Sequence, residues 1–527
     1  MQAGWRFGFL AICLAACAQA EIKLPKVITS GMVLQAETPA LWGYAEPHSN
    51  VSISVSDGEH VHVVTEPSGK WEVVLSARNA SDQAVVIKLE ETDVLNPEAV
   101  HLDDVLFGDV WLCSGQSNME FSVAMTFDAA EIIDQADNFP TLRLFAVQKN
   151  ASGEPLEEIV DVQEGWVASS RESVCGAEYG ARADYCEPHC GGSAADPSYH
   201  RPTWGYFSAV CYIYGRELLK ATGRPQGMVE SCWGGTAIEL WSSPKALAKC
   251  GSSEPPPPLN DTEVEVGLAP STLYNAMIVP LLPMSMRGAI WYQGEANTGD
   301  EAKAKKYRCQ LRAMAEDWRS SFRPTSLPPL AFFVQQLAAY SGPDGFLPVL
   351  RNSQAQAVAS LPNAGLAVGI DLADPGSPCH DVHIRNKTAV GQRLALAALA
   401  VSYGESVAYL GPVPVHAETK AEGVEVEYAG EHGEFVTINQ TTSETQCFEV
   451  HKDGSWVSAS ASVKAEQGQR LKVIVHASGD IKGVRYAWSP IPTGQQLYDD
   501  TGLPGIPWAA NCSGAGICDL DTQVSFS

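Results

Sequence analysis

Between Val105 and Ile370 the chain carries short, nearly unbroken apolar runs: Val105 to Cys113 (VLFGDVWLC), Leu142 to Val147, Gly227 to Cys232, Gly288 to Tyr292, Leu330 to Val334 and Leu366 to Ile370. Runs without polar alternation belong to strands buried on both faces. Apolar residues at helical spacing lie between or after them, at Phe207 to Ala221, Lys303 to Phe322 and Arg385 to Val401. Buried strands alternating with helices predict an α/β domain over 105–402, a parallel sheet with helices on both faces. The flanks have a different rhythm. Over 21–104, Val51 to Val55, Val61 to Val64, Trp71 to Leu75 and Val85 to Leu89 are short strand-like runs separated by Gly, Pro, Asn and Asp. Over 403–527, Val424 to Tyr428, Phe435 to Ile438, Leu471 to His476 and Lys482 to Trp488 repeat that pattern, with Gly430, Gly454, Gly468 and Gly479 as turns. Both flanks are expected to be accessory, sandwich-like β regions. The stretch 165–206 breaks the α/β pattern and reads as an insertion held by cysteines. Pro255 to Pro258 reads as a surface linker.

The first twenty residues stand apart. Met1 to Ala20 carries one charge, Arg6, then an apolar run, and closes on Ala18-Gln19-Ala20. This has the form of a secretory signal peptide, too short in its apolar run for a span. Cys13 and Cys17 would leave with it, and the cysteines that remain are even in number. In an oxidising compartment such a set permits disulfides. Cys175, Cys186 and Cys190 cluster in the insertion, and Cys512 and Cys518 close a short loop. Glycosylation acceptor patterns begin at Asn50, Asn79, Asn150, Asn260, Asn386, Asn439 and Asn511. The net charge of −27 excludes general binding to nucleic acid and makes an anionic membrane a poor partner.

Open parallel sheets hold their ligands beyond the carboxyl ends of the strands. The first apolar run ends at Ser114-Gly115-Gln116-Ser117-Asn118. A serine on a Gly-containing turn from strand to helix exposes its hydroxyl beside unpaired N–H groups that can stabilise an oxyanion. The same spacing also fits an ordinary helix N-cap. A nucleophilic serine needs a base. Cys379-His380-Asp381-Val382-His383 follows the last run. There His383 could take the proton, with Asp381 two residues away in an extended segment to hold the imidazole. His380 is the competing histidine. A loop histidine without chemistry and a metal site are the other readings, although the spacing matches no standard zinc pattern. Two more strand ends, Trp233-Gly234-Gly235-Thr236 and Gln293-Gly294-Glu295-Ala296-Asn297, offer oxyanion donors in a backbone N–H of the glycine pair and a side-chain N–H of Gln293 or Asn297, although the glycine pair also fits an ordinary tight turn. Glu295 reads as a structural carboxylate. Together these are the parts for acyl transfer to water. No dinucleotide or phosphate fingerprint accompanies them, and no cofactor is implied.

Phe107-Gly108-Asp109-Val110-Trp111-Leu112-Cys113-Ser114-Gly115-Gln116-Ser117-Asn118-Met119 closely resembles the nucleophile block of the sialate O-acetylesterases. Trp233 to Thr236, Trp291 to Asn297 and the His383 block resemble the same family in the same order, as do Tyr206 to Glu217, Arg485 to Trp488 and Leu497 to Pro504. The resemblance implies an SGNH-type hydrolase fold and removal of O-acetyl groups from sialic acids or sialoglycans, notably at the 9-position, in lysosomes or after secretion. It makes Ser117 the nucleophile and His383 the base, with the Ser117 amide, Gly235 and Gln293 around the oxyanion. The broader SGNH pattern sets its acid three residues before the histidine. That place holds His380 here and Asp381 stands two before, so a Ser–His dyad stays open. Trp233, Trp291 and Tyr292 could pack on a sugar or in the core. Arg351 and Arg385 are candidates for a substrate carboxylate, and Arg385 could instead pair with Asp381. Two rival readings remain: an acetylesterase acting on another carbohydrate such as xylan, and a carbohydrate-binding protein whose β flanks carry the function.

Overall fold

The computed structural model describes residues 22–92, 98–175, 206–251, 269–324, 328–342, 346–429, 444–464, 470–493, 496–513 and 516–521. The signal-like segment, most of the cysteine-rich insertion, the proline stretch and the strand expected at Phe435 to Ile438 lie outside them.

One strand organises the chain. Val100–Gly115 is 16 residues long. Its first half pairs antiparallel with Ser81–Glu91 and parallel with Val33–Gln35. Its second half is the middle of a sheet whose order is Ala364–Ala367, Ala331–Gln335, Gly288–Tyr292, Val100–Gly115, Gln226–Cys232, Leu142–Val147, Val162–Ala168. The first six run parallel, and Val162–Ala168 closes the edge antiparallel to Leu142–Val147. The start of the expected insertion is therefore an edge strand of the sheet. The boundary at 104/105 falls inside the long strand, so the amino-terminal β region and the α/β sheet share a backbone.

The unbroken apolar runs become strands because helices cover both faces. Trp111 and Cys113 point to the helix Ala209–Thr222. The Trp111 ring meets Tyr214 edge-on at 5.2 Å, and Cys113 is disulfide-bonded to Cys211. Trp291 is aligned with Ser114 and so faces the other way. There it stacks edge-on with Trp241 and with Trp318 of the helix Glu301–Ser321. Trp291 and Tyr292 are wholly buried and belong to the core, not to a sugar platform. Helix starts follow their caps. The side chains of Ser208, Asp300 and Asn386 each accept an N–H of the first turn, which sets the starts at Ala209, Glu301 and Lys387. The helix Lys387–Tyr403 stops at Gly404 in the left-handed conformation. A helix at Leu347–Ala359 was not foreseen. It packs against Glu301–Ser321.

The described residues of the carboxy-terminal region form an eight-stranded antiparallel sheet. Its order is Val413–Lys420, Gly423–Ala429, Leu471–His476, Ser455–Lys464, Glu444–Lys452, Gly483–Tyr486, Trp508–Cys512, Cys518–Leu520. Its ends meet where the Thr419 N–H donates to the Gly516 carbonyl and Glu418 bridges Ile517. It curls into a near-barrel, where the sequence pattern suggested a sandwich, and curling hides edges that a flat sheet would expose. Cys512 and Cys518 are disulfide-bonded, as are Cys250 and Cys309.

Arg351 fastens this region to the α/β domain. It is fully buried, and its guanidinium donates to the carbonyls of Leu337, Ala338, Ser489 and Pro490 at 2.7 to 2.9 Å. A substrate carboxylate cannot reach it. Beneath the sheet, buried Asp109 accepts from Arg224, Arg287 and the Tyr403 hydroxyl. The two guanidinium groups hold its carboxyl below the usual range against the opposing effect of burial.

Gly115 sets how closely the central strand approaches its neighbour. At φ +144° a Cβ there would lie 2.1 Å from the Tyr292 carbonyl oxygen. Gly115→Ala is expected to destabilise the protein by at least about 2 kcal/mol, read as a lower midpoint in chemical denaturation. An unchanged midpoint would contradict this register.

Candidate active site

The central strand ends at Gly115, and the chain turns at once into the short helix Ser117–Glu120. Ser117 thus stands at the carboxyl end of the middle strand, where the sheet's order changes direction. This is the crevice in which open α/β sheets hold ligands. As first residue of the helix, its N–H has no partner within the helix. The His383 ring reaches it from the loop before Lys387–Tyr403. Nε2 of His383 lies 2.9 Å from Ser117 Oγ. The pair expected from sequence is therefore assembled across 266 residues of chain.

The group expected to orient the imidazole is corrected. Nδ1 of His383 faces the Cys379 carbonyl oxygen at 2.5 Å. Asp381 is turned elsewhere: its Oδ2 accepts from the Ser341 N–H at 2.7 Å and from the Ser341 hydroxyl. The reading failed because 379–383 is not extended. His380 adopts φ +66°, and the His383 N–H bonds back to the His380 carbonyl. In such a turn, side chains two residues apart do not share a face. Cys379 is itself disulfide-bonded, so its sulfur is no thiolate ligand for a metal.

The glycine pair lies against the nucleophile. A Cβ on Gly234 would sit 3.2 Å from Ser117 Cβ. The Gly234 N–H donates to Glu120 Oε2 at 2.7 Å, and Lys149 holds the other oxygen. That leaves Gly235 at φ +75°, exposed, with no hydrogen bond drawn by its N–H among the described residues. It remains the backbone donor next to Ser117.

The two side-chain donors are corrected. Gln293 is wholly buried, with Nε2 at 2.8 Å from Asn297 Oδ1 and 3.1 Å from both Gln116 Oε1 and the Thr236 carbonyl. Its Oε1 accepts from the Tyr307 hydroxyl. Asn297 is equally committed: Nδ2 donates to Glu239 at 2.9 Å, and Oδ1 accepts from the Ile238 N–H and from Gln293. Neither faces the hydroxyl. They lock three strand-end loops together from below, and nothing in the local sequence distinguishes that role from donation. Arg385 does not pair with Asp381. It forms a two-pronged ion pair with Asp374 and covers the exposed Phe127 ring at 4.4 Å. Trp233 is half-buried beside Gly234.

Known proteins resemble this chain over most of its length. The family described as carbohydrate esterase, sialic acid-specific acetylesterase matches residues 196–400. The chain is 30% identical to the mouse sialate O-acetylesterase, with 97% of this chain and 99% of the relative covered. The human sialate O-acetylesterase is 30% identical over 92% of this chain and 91% of its own. The chain belongs to the sialate O-acetylesterase family. In structure it is similar to a carbohydrate acetylesterase from Xanthomonas citri, with a TM-score of 0.76 and 31% identity, covering 93% of this chain and 99% of that one.

In this family member the serine–histidine alignment rests on Asn118, which the sequence reading passed over. Its Nδ2 donates to Glu295 Oε1 at 2.6 Å and to the Val382 carbonyl at 2.9 Å. One amide thus ties the residue after the serine to the residue before the histidine. Its Oδ1 accepts from Lys387, which is wholly buried, with its ammonium over the Phe121 and Tyr292 rings. Burial pushes Lys387 down to about 7 and raises the Glu295 carboxyl. The one sequence signal was a lysine opening an otherwise apolar helix. Glu295 is the structural carboxylate the sequence suggested.

Burial also lowers the His383 pKa, and the charges of Lys387 and His380 act in the same direction, while the Cys379 carbonyl opposes them. A base works when neutral. A lowered pKa keeps it neutral to lower pH, so the acid limb of kcat/KM is expected to inflect below the reference value of about 6.5. An inflection at or above that value in a pH–rate profile would contradict this environment. Asn118→Ala is expected to lower kcat about 10- to 100-fold while the protein stays folded by circular dichroism.

Proposed function

We propose that this esterase removes O-acetyl groups, the 9-O-acetyl in particular, from sialic acids through an acetyl-serine intermediate. The observation that carries the reading is the 2.9 Å contact between Ser117 Oγ and His383 Nε2 near the Gly235 amide, which has no acceptor among the described residues. Ser117 Oγ attacks the acetyl carbonyl carbon while His383 takes its proton. The amides of Ser117 and Gly235 hold the oxyanion. The bond from carbonyl carbon to sugar oxygen then breaks, and His383 returns the proton to the departing hydroxyl. Water attacks the acetyl-serine with His383 again as base, and acetate leaves. The Cys379 carbonyl keeps the hydrogen of the neutral imidazole on Nδ1, so Nε2 stays free to accept. The site is thus a dyad oriented by backbone, on a sheet that fits the SGNH-type reading. Trp233, beside Gly234, and Arg385, two residues after His383, are the side chains assigned here to the sugar and its carboxylate. The disulfides and the signal-like segment support export, to the lysosome or outside the cell, and a lowered His383 pKa suits an acidic compartment.

Acetate release from 9-O-acetyl-N-acetylneuraminic acid tests the reading. The wild type is expected to release acetate, and Ser117→Ala to lose about 10⁴-fold or more in kcat. Asp381→Ala is expected to keep activity within about 3-fold, since the orienter is a carbonyl. Activity on acetylated xylan with none on the sialic acid ester would keep the mechanism and overturn the substrate. Full activity in Ser117→Ala would overturn the nucleophile.

A further inference from the structure

A cleft of about 470 Å³ lies between the α/β domain and the carboxy-terminal near-barrel. Clefts between domains and of this size are ordinary places for ligands. One wall is a face of the helix Leu347–Ala359. Val349, Asn352, Ser353 and Gln356 fall on it at helical spacing. The helix's other face carries Arg351 and Gln354, whose side chains are buried toward the domain; Gln354 Nε2 lies 3.1 Å from the Gln293 carbonyl. The cleft therefore opens on the side of this helix turned away from the strand-end loops, apart from Ser117.

Three groups in the cleft are left without partners of their own kind. Trp488 is half-exposed, with no ring, cation or hydrogen bond against it among the described residues. It also borders a neighbouring cavity of about 380 Å³. Trp456 opposes this state: the Arg485 guanidinium already covers it at 4.2 Å, and Glu449 holds that guanidinium from two sides. Asn352 Oδ1 is buried and accepts no hydrogen bond. Arg308 is exposed and, among the described residues, bonds only the neutral Gln356 amide, at 2.9 Å, whereas the nearby Lys305 is paired with Glu301. The cleft's own carboxyl, Asp521, lies near Lys305; desolvation raises its pKa against the opposing Lys305 charge.

We propose that this cleft is a second saccharide-binding site, taking a carboxylate-bearing sugar unit of a glycan. The open indole face matches the C–H face of a pyranose. The Arg308 fork takes the carboxylate. The inference rests on the proposed function only in the choice of a sialylated probe. Its role there is to hold the substrate glycan while the ester is cut at Ser117.

The test is calorimetric titration of the full-length protein, freed of N-glycans because Asn511 heads an acceptor pattern on the cleft's lip, with 3′-sialyllactose, which has no ester to cleave. Trp488→Ala and Arg308→Gln are measured beside the wild type, with hydrolysis of 4-nitrophenyl acetate as a parallel readout. Binding is expected to weaken about 10-fold in Trp488→Ala and about 5-fold in Arg308→Gln, with ester hydrolysis unchanged in both. Lactose, lacking the carboxylate, is expected to bind at least about 5-fold more weakly than sialyllactose. If Trp488→Ala fails to fold, Arg308→Gln at an exposed position and the lactose comparison decide. Binding that both variants leave unchanged, or no binding by an active wild type up to about 10 mM, overturns the cleft and leaves the esterase reading standing. Variant-sensitive binding by a protein inactive on every acetyl ester does the reverse.

Discussion

A single continuous strand, Val100–Gly115, fixes the geometry of everything around it. Its first half belongs to the amino-terminal β region, its second half is the centre of the parallel sheet, and its last residue delivers the chain to Ser117. The register with Gly288–Tyr292 requires a residue without a side chain at Gly115, because the Tyr292 carbonyl occupies the Cβ position. Where this strand stops, the nucleophile begins. The strand is held at two points along its length: the Cys113–Cys211 disulfide ties it to the helix Ala209–Thr222, and buried Asp109 gathers Arg224, Arg287 and Tyr403.

The site is precise because polar groups below it are satisfied among themselves. Gln293 and Asn297 spend their amides on neighbouring loops, and Asn118 spends its amide on Glu295 and Val382. Buried amides in this setting cannot turn toward a substrate without leaving partners unpaired, at a cost of about 1 to 3 kcal/mol per group. What remains free is backbone: the Gly235 N–H and the start of the Ser117 helix. The same economy extends to His383, whose orienting acceptor is the carbonyl of Cys379. A carbonyl brings no negative charge, so the imidazole gains no strong stabilisation of its protonated form, and burial prevails in lowering its pKa.

The carboxy-terminal near-barrel gains a reason to be attached so firmly. Arg351 donates to carbonyls on both sides of the junction, and the adjoining cleft carries the Trp488 indole and the Arg308 guanidinium, which has no carboxylate partner among the described residues. The proposed cleft is thereby tied to the domain that carries Ser117, which is what one glycan chain spanning both needs.

Much of this was legible in the chain. The buried runs at Leu142 to Val147 and Gly288 to Tyr292 fall on strands with those bounds, because only a doubly covered parallel strand tolerates such composition. The turn after Cys113, the glycine pair and the histidine block marked their strand ends, since glycine and polar residues after an apolar run have few other uses. Sequence could not tell where side chains in irregular loops point. The left-handed His380 turned Asp381 toward Ser341, and the amides of Gln293 and Asn297 went to partners that only the assembled loops supply. It also could not tell a sandwich from a near-barrel, because both share the same alternation and differ only in whether the end strands meet. Sequence determined which residues stand at the strand ends, through local periodicity and turn chemistry. Tertiary structure decided which of them face the serine, because hydrogen-bond partners hundreds of residues apart compete for the same atoms.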